Sequence, residues 1–400
     1  MHSSLNAPVF QTADGERSAT WLELFFDLVF VVAVAALVAL FEHHFTPAGL
    51  GMLLLFFFPL WWLWMGFSYF SDLFDDNSVF YQTMMILAMG GILKIALVLR
   101  LYGWEEGQTE FIACYLYLLG IHFVSYLRAW ILGKRLRWFT QRYLGCAALA
   151  AACWAASLFV DGTPRYALWI VGTLVQMSAS PSIYLLRDDY PVQLSHMPER
   201  FGLFSIIVLG EGIVAVTGGA MEREPSFGVL VAEISAFLLI VCLWKLYFYE
   251  ASKDSVTDAL RKTGRGSIAR SFVYGYGHFF LYVAIVMVAV AVLTLLHETF
   301  DVHHAAHPAF ARTILHGGAT LFLAAITLIH WAAPESLFPR IVAARIACAV
   351  VSFLLWFFPL PAPVELVAQV LVCGGLILFE YLTYRSRGVL PGAEAGRITE

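Results

Sequence analysis

Ionisable side chains inside apolar runs are the residues of this sequence that have chemistry to offer. Glu23 and Asp27 lie in TWLELFFDLVFVVAVAAL at 20–37, and Glu211 lies in VLGEGIVAVTGG, flanked by Gly210 and Gly212. Arg128, Lys245, His278 and Arg345 each sit near one end of an apolar run. A charged group in hydrocarbon costs about 2.5–3.5 kcal/mol on insertion scales, so such a group points to an ion, a proton or a charged partner. The functional reading is a proton- or cation-coupled gate. Asp27 and Glu211 are its pathway or ion-binding acids with Glu23 beside them, and Arg128, Lys245, His278 and Arg345 are its counter-charge or gate. The alternative is snorkelling at helix ends, helix-tying ion pairs and, for Glu211, a protonated acid bonded to a carbonyl. The flanking glycines favour a site, because they let another backbone or an ion come close.

The elements that must hold these residues are membrane helices. The chain has 400 residues, 60% of them apolar and 13% charged, with a mean hydropathy of +0.76. Soluble domains average about 45–50% apolar and about 25% charged, so the composition excludes a soluble enzyme, a nucleic-acid binder and a disordered chain. A crossing helix needs about 20 apolar residues. Twelve segments qualify: 21–41, 47–70, 79–101, 111–132, 142–160, 166–186, 201–219, 226–249, 271–296, 309–331, 341–360 and 363–384. They are apolar on all sides, unlike the alternating strands of a transmembrane barrel, so the fold class expected is all-α. Ala33-Val34-Ala35 mimics a signal-peptide cleavage site, but QTADGER before the first segment lacks a basic region, so that segment is read as a retained helix. Most Lys and Arg residues fall in the tails and in the loops on the N-terminal side, while the opposite loops hold Arg100, Arg165, Arg223 and Arg312. Both termini are therefore expected in the cytoplasm.

An internal duplication is read at an offset of about 184 residues, which sets Asp27 over Glu211 and shifts between about 180 and 201 for the later matches, the alternative being that aromatic-rich helices align by chance. Trp64 and Tyr69 fall over Trp244 and Tyr249, Ser78–Tyr81 over Ser271–Tyr274, and Trp130 over Trp331. Six helices per unit make the repeats parallel, with the first and seventh helices facing each other across a pseudo-twofold axis. The expected organisation is an N-terminal cytoplasmic tail at 1–20 and a first six-helix repeat at 21–186. A cytoplasmic linker at 187–200, a second repeat at 201–385 and a C-terminal tail at 386–400 complete it.

Other chemistry finds little support. The sequence has no GxSxG, P-loop or HExxH pattern, and the reading is that of a non-enzyme. His122, His278 and His316 fall at different depths, which argues against a haem held by two histidines. His303 and His307 have the spacing of a metal pair, but a polar loop accounts for them. The six cysteines fall in apolar runs without a CxxC pair, as small buried hydrophobes do. No cofactor and no metal is expected.

Two stretches resemble a known family. TWLELFFDLVFVVAVAAL at 20–37 and HMPERFGLFSIIVLGEGIVAV at 196–216 are similar to signature segments of the bacterial low-temperature-requirement A family. The residues that carry the likeness are Phe25, Phe26, Glu199, Arg200 and Gly210, with Asp27 and Glu211 beside them. The resemblance implies a multi-pass inner-membrane protein and leaves its substrate open. Phe25–Phe30 is also similar to the start of helix 1 in lysosomal and bacterial potassium channels built from six-helix repeats. There the acid ties helix 1 to its neighbours, which would make Asp27 a structural knot. Phe26 replaces that motif's serine, and the second repeat carries Leu209-Gly210-Glu211 instead.

The expected function is transport of a small ion or solute across the bacterial inner membrane, with helices 1 and 7 near the pathway. The opposed reading is a scaffold, sensor or lipid-handling protein. Partners expected are the lipid bilayer and a small ion or solute but no nucleic acid, and a homo-oligomer is left open. A transporter should present a water-accessible track to Glu211, whereas a scaffold should seal both acids in dry ion pairs.

Overall fold

The computed structural model describes residues 20–74, 78–186, 197–220, 226–248, 265–300, 308–332 and 338–386. These are helical apart from short turns, with no β-strand among them. The helices are α1 (Trp21–His43), α2 (Pro47–Leu73), α3 (Val79–Glu106), α4 (Gln108–Leu132), α5 (Arg137–Ala156), α6 (Thr163–Met177) and α7 (Ala179–Leu186). They continue with α8 (Met197–Ala220), α9 (Phe227–Phe248), α10 (Arg265–Phe300), α11 (Pro308–Trp331), α12 (Pro339–Leu355) and α13 (Ala362–Arg385). Nine of the described helices, α1–α5, α9–α11 and α13, are long and apolar enough to cross a membrane. The other predicted segments are also helical. The tail at 1–19, residues 187–196 of the linker, the pair His303 and His307, and the C-terminal tail from 387 lie outside the described residues.

Local sequence explains where the helices begin and break. Thr20 caps α1 in a capping box, its hydroxyl accepting from the Glu23 amide at 3.3 Å while the Glu23 carboxylate accepts from the Thr20 amide at 2.8 Å. Both orphan donors are thereby satisfied. Helix α3 bends sharply at Gly103, where φ is +66°, a value glycine reaches without steric cost. The predicted segment 166–186 is two helices rather than one. Pro181 lacks the N–H that would bond back to the Met177 carbonyl and disfavours helical backbone at the residue before it, and α6 accordingly ends at Met177. Helix α12 has 17 residues and rises about 26 Å, just under the about 30 Å of hydrocarbon.

The chain divides into two compact units, one holding residues 1–44, 48–204 and 263–268, the other 45–47, 205–262 and 269–400. In the first, α1 packs on α3, and α3 through α6 pack in chain order. Its core is aromatic: Tyr115 stacks on Trp154 at 3.9 Å between centroids, and Trp154 on Trp169 at 5.1 Å. In the second, α9 packs on α13, α13 on α12 and α12 on α11. Large apolar side chains, among them Leu101, Ile234, Ile346, Leu371 and Leu382, are exposed. So many exposed large apolar side chains suit hydrocarbon and not water.

The Trp154 stack depends on a missing side chain. A Cβ at Gly172 would stand 2.8 Å from Trp154 Cδ1. We expect Gly172→Ala to destabilise the first unit by about 1–3 kcal/mol, the usual cost of overpacking, read from detergent-micelle unfolding curves.

Candidate functional site

Asp27 is the centre of a buried knot in the first unit. Trp64 of α2 donates its indole N–H to Asp27 Oδ1 at 2.8 Å. Arg200, in the first turn of α8, donates Nε to Oδ2 at 3.1 Å and Nη2 to Oδ1 at 2.5 Å. Both charged residues are only 1% exposed. Two N–H groups on two carboxylate oxygens are the fork geometry that arginine offers and lysine does not. Aromatic rings exclude water around it: Trp64 packs on Phe204 at 4.5 Å and on Phe201 at 5.6 Å, and Phe26 packs on Phe67 at 5.5 Å. The ion pair thus joins the two signature segments, FFD at 25–27 and ERFG at 199–202, across 173 positions of sequence. Phe26 is buried within this packing, whereas Phe25 is exposed. Glu199 and Gly210 are half-buried on α8.

Of the other predicted residues, Glu23 adjoins this knot, one turn before Asp27 on α1, and the rest are dispersed. Glu23 is held by the α1 capping box and accepts from the Tyr81 hydroxyl at 3.3 Å, and Tyr81 lies 2.6 Å from the Ser71 hydroxyl. Arg128 stacks over the Phe80 ring at 4.8 Å. Lys245 is half-buried in the last turn of α9. His278 of α10 is fully buried, with Nδ1 2.7 Å from the Tyr274 carbonyl and Nε2 2.9 Å from the Tyr247 hydroxyl. A carbonyl only accepts, so Nδ1 carries a proton towards Tyr274, and Nε2 shares a hydrogen bond with the Tyr247 hydroxyl. Glu211 differs from Asp27 in being half-buried in the middle of α8. A Cβ at Gly212 would stand 2.6 Å from Ile240 of α9, whereas one at Gly210 would meet nothing within 4 Å. Among the described residues the helix is thus closely covered at Gly212 and less so at Gly210.

Arg345 belongs to a cluster whose other members the sequence reading passed over. Its Nε donates to Glu380 Oε1 at 2.8 Å and its Nη1 to His330 Nδ1 at 2.7 Å, all three side chains being buried. A second cluster lies towards the opposite end of the same three helices. There Arg312 Nε stands 2.5 Å from Glu365 Oε1, and His316 Nε2 stands 3.8 Å from Glu365 Oε2. Gln369 and Ser352 extend that cluster, their side chains 3.1 Å apart. The available signal was spacing: Glu365, Gln369, Cys373 and Glu380 follow one another at four, four and seven residues and share the buried face of α13. Arg312 and His316 stand four apart on α11. Among the described residues no three His, Cys, Asp or Glu side chains converge as metal ligands, and the six cysteines are free thiols.

Comparison with known proteins places these residues in a family context. A family profile described as bacterial low temperature requirement A protein (LtrA) matches residues 18–376. An uncharacterized protein of Rhizobium meliloti (strain 1021) is 27% identical over 332 residues, covering 77% of this chain and 76% of that relative. No solved structure matches the chain.

Removing one partner of a buried ion pair leaves the other charge desolvated. We expect Asp27→Leu or Arg200→Leu alone to cost about 3–5 kcal/mol, and Trp64→Phe, which deletes one bond to a charge, about 1.5–3 kcal/mol. The Asp27→Leu/Arg200→Leu double variant should be more stable than the sum of the singles by more than about 1 kcal/mol. Unfolding in mixed micelles measures all four, and simple additivity would contradict the pairing.

Proposed function

The chain belongs to the bacterial low temperature requirement A family, and on that premise we propose that this multi-pass membrane protein moves a small ion or solute across the bacterial inner membrane, with Glu211 as the acid of its pathway. The observation that carries the proposal is the difference between two acids. Asp27 is sealed by Arg200 and Trp64, while Glu211 is half-buried in mid-helix beside the less closely covered Gly210. An ionisable side chain at membrane depth faces the protein interior or a water-filled cavity, so a half-buried acid in mid-helix suits a water-lined path. Asp27 then serves as a fixed tie within the first unit. In the same proposal both termini are cytoplasmic, as the distribution of Lys and Arg supports. Segments 21–186 and 201–385 are its two parallel six-helix repeats.

A non-transporting scaffold, sensor or lipid-handling protein is the second reading, and the sealing of Asp27 favours it. Flux in proteoliposomes under potassium, sodium or proton gradients separates the two. With transport, Glu211→Gln lowers flux at least about tenfold, a barrier change of about 1.4 kcal/mol, while its unfolding curve stays that of the wild type. Asp27→Asn instead lowers stability. Absence of flux under all three gradients would remove the cation pathway and leave organic solutes and the scaffold reading.

A further inference from the structure

We propose that His316, with Glu365 as its counter-charge and Gln369 as a reversible hydrogen-bond partner, is a proton-binding site in the layer formed by α11, α12 and α13. Both ionisable side chains are almost wholly buried, His316 at 2% and Glu365 at 1% side-chain exposure. Glu365 Oε1 is engaged by Arg312 Nε, whereas His316 Nε2 has no hydrogen-bond partner among the described residues. His316 Nε2 and Glu365 Oε2 face each other across 3.8 Å. Buried donors and acceptors are nearly always satisfied, so an unbonded imidazole nitrogen facing a carboxylate at this separation is poised for a change of protonation or position.

The other imidazole nitrogen shows where the added proton goes. Gln369 Nε2 lies 2.6 Å from His316 Nδ1, and Gln369 Oε1 accepts from the Ser352 hydroxyl at 3.1 Å. In this arrangement the amide N–H donates to Nδ1, and the imidazole is neutral with its single proton on Nε2, towards Glu365. A proton arriving from water binds Nδ1 when the Gln369 amide turns over, so that Oε1 accepts from the new N–H and the amide nitrogen faces Ser352. The imidazolium so formed has Glu365 as its opposite charge. No other bond is made or broken, and the local charge rises by one.

Glu365 is the charge that favours the imidazolium, while Arg312, one helical turn from His316 and bound to the same carboxylate, opposes it. On α11, Arg312 pairs with Glu365 Oε1 and donates Nη2 to the Trp356 carbonyl at 2.6 Å. On α13, Glu365 occupies the first turn, where the helix dipole favours an anion. Helix α12 brings Ser352 and, two turns away, Arg345, which Glu380 already engages. Helix α9, packed on α13, brings a half-buried Glu233 and, at its far end, Lys245. Helix α10 meets α11 through Met287 and Val288 at Gly318, and its His297 is exposed at the helix end. Arg312 is 16% exposed at the side chain, which puts the cluster near the membrane face opposite to that of Arg385.

Imidazole NMR of the full-length histidine-labelled protein in lipid nanodiscs tests the site, with the His316 signal assigned from its loss in His316→Asn. The wild-type signal should titrate between about pH 4 and pH 8, around the ordinary histidine range. Glu365→Gln should lower the proton affinity of His316 at least about tenfold, one pH unit. Gln369→Glu, which keeps the ion pair with Arg312 and offers Nδ1–H a carboxylate, should raise it by a similar factor. A His316 signal that stays fixed across this range in both wild type and Gln369→Glu would overturn the proposal, as would equal midpoints in all three proteins. Should Glu365→Gln fail to fold, the direction of the Gln369→Glu shift decides alone. None of these readings depends on whether the protein transports anything.

Discussion

The ion pair between Asp27 and Arg200 is the interaction on which the arrangement of the first unit turns. A bare carboxylate or guanidinium in hydrocarbon has no water to fall back on, so each requires the other. Their contact fixes the start of α8 against α1, and the Trp64 indole fixes α2 against both. The aromatic packing of Phe26, Phe67, Phe201 and Phe204 follows from that junction and keeps it dry. Arginine is suited to the position because two of its N–H groups meet two carboxylate oxygens at once, which a lysine ammonium cannot do.

The same demand shapes the second unit with different residues. Helices α11, α12 and α13 carry a charged cluster towards each end, Arg312–Glu365–His316 and Arg345–Glu380–His330. Each combines one arginine, one glutamate and one histidine drawn from neighbouring helices. The two clusters lie on one buried face of α13, 15 residues apart, so they are separated by about 22 Å of helix rise. They differ in how the histidine is used. His330 accepts from Arg345 through Nδ1, whereas His316 accepts from a neutral amide and points its other nitrogen at a carboxylate. An arginine cannot give up its proton at any accessible pH, but an amide can turn over, and that difference makes the second histidine the adaptable one.

Much of the architecture was legible in the residues. Twelve apolar segments fall on helices because a backbone in hydrocarbon must bond to itself, and length with composition is enough to reveal that. The break at Met177 was written in Pro181, although the apolar run continues through it. The charged sites were harder to read. Glu365 and Glu380 sit near opposite ends of an apolar run, where an acid can reach for the interface or turn inward, and the run reads the same either way. Arg312 looked like a loop residue for the same reason.

Composition and the period of apolar residues settle that the chain is a helical membrane protein, because the cost of exposing backbone and apolar surface depends on residue type and local order alone. The partner of a given charge is a different kind of fact. Asp27 meets Arg200 and not Arg128, Lys245 or Arg345, Arg345 meets Glu380, and His316 meets Glu365, because packing brings helices together whose sequence separation carries no trace of their contact. A buried charge announces that it needs a partner, and the geometry of helix against helix selects which one it finds.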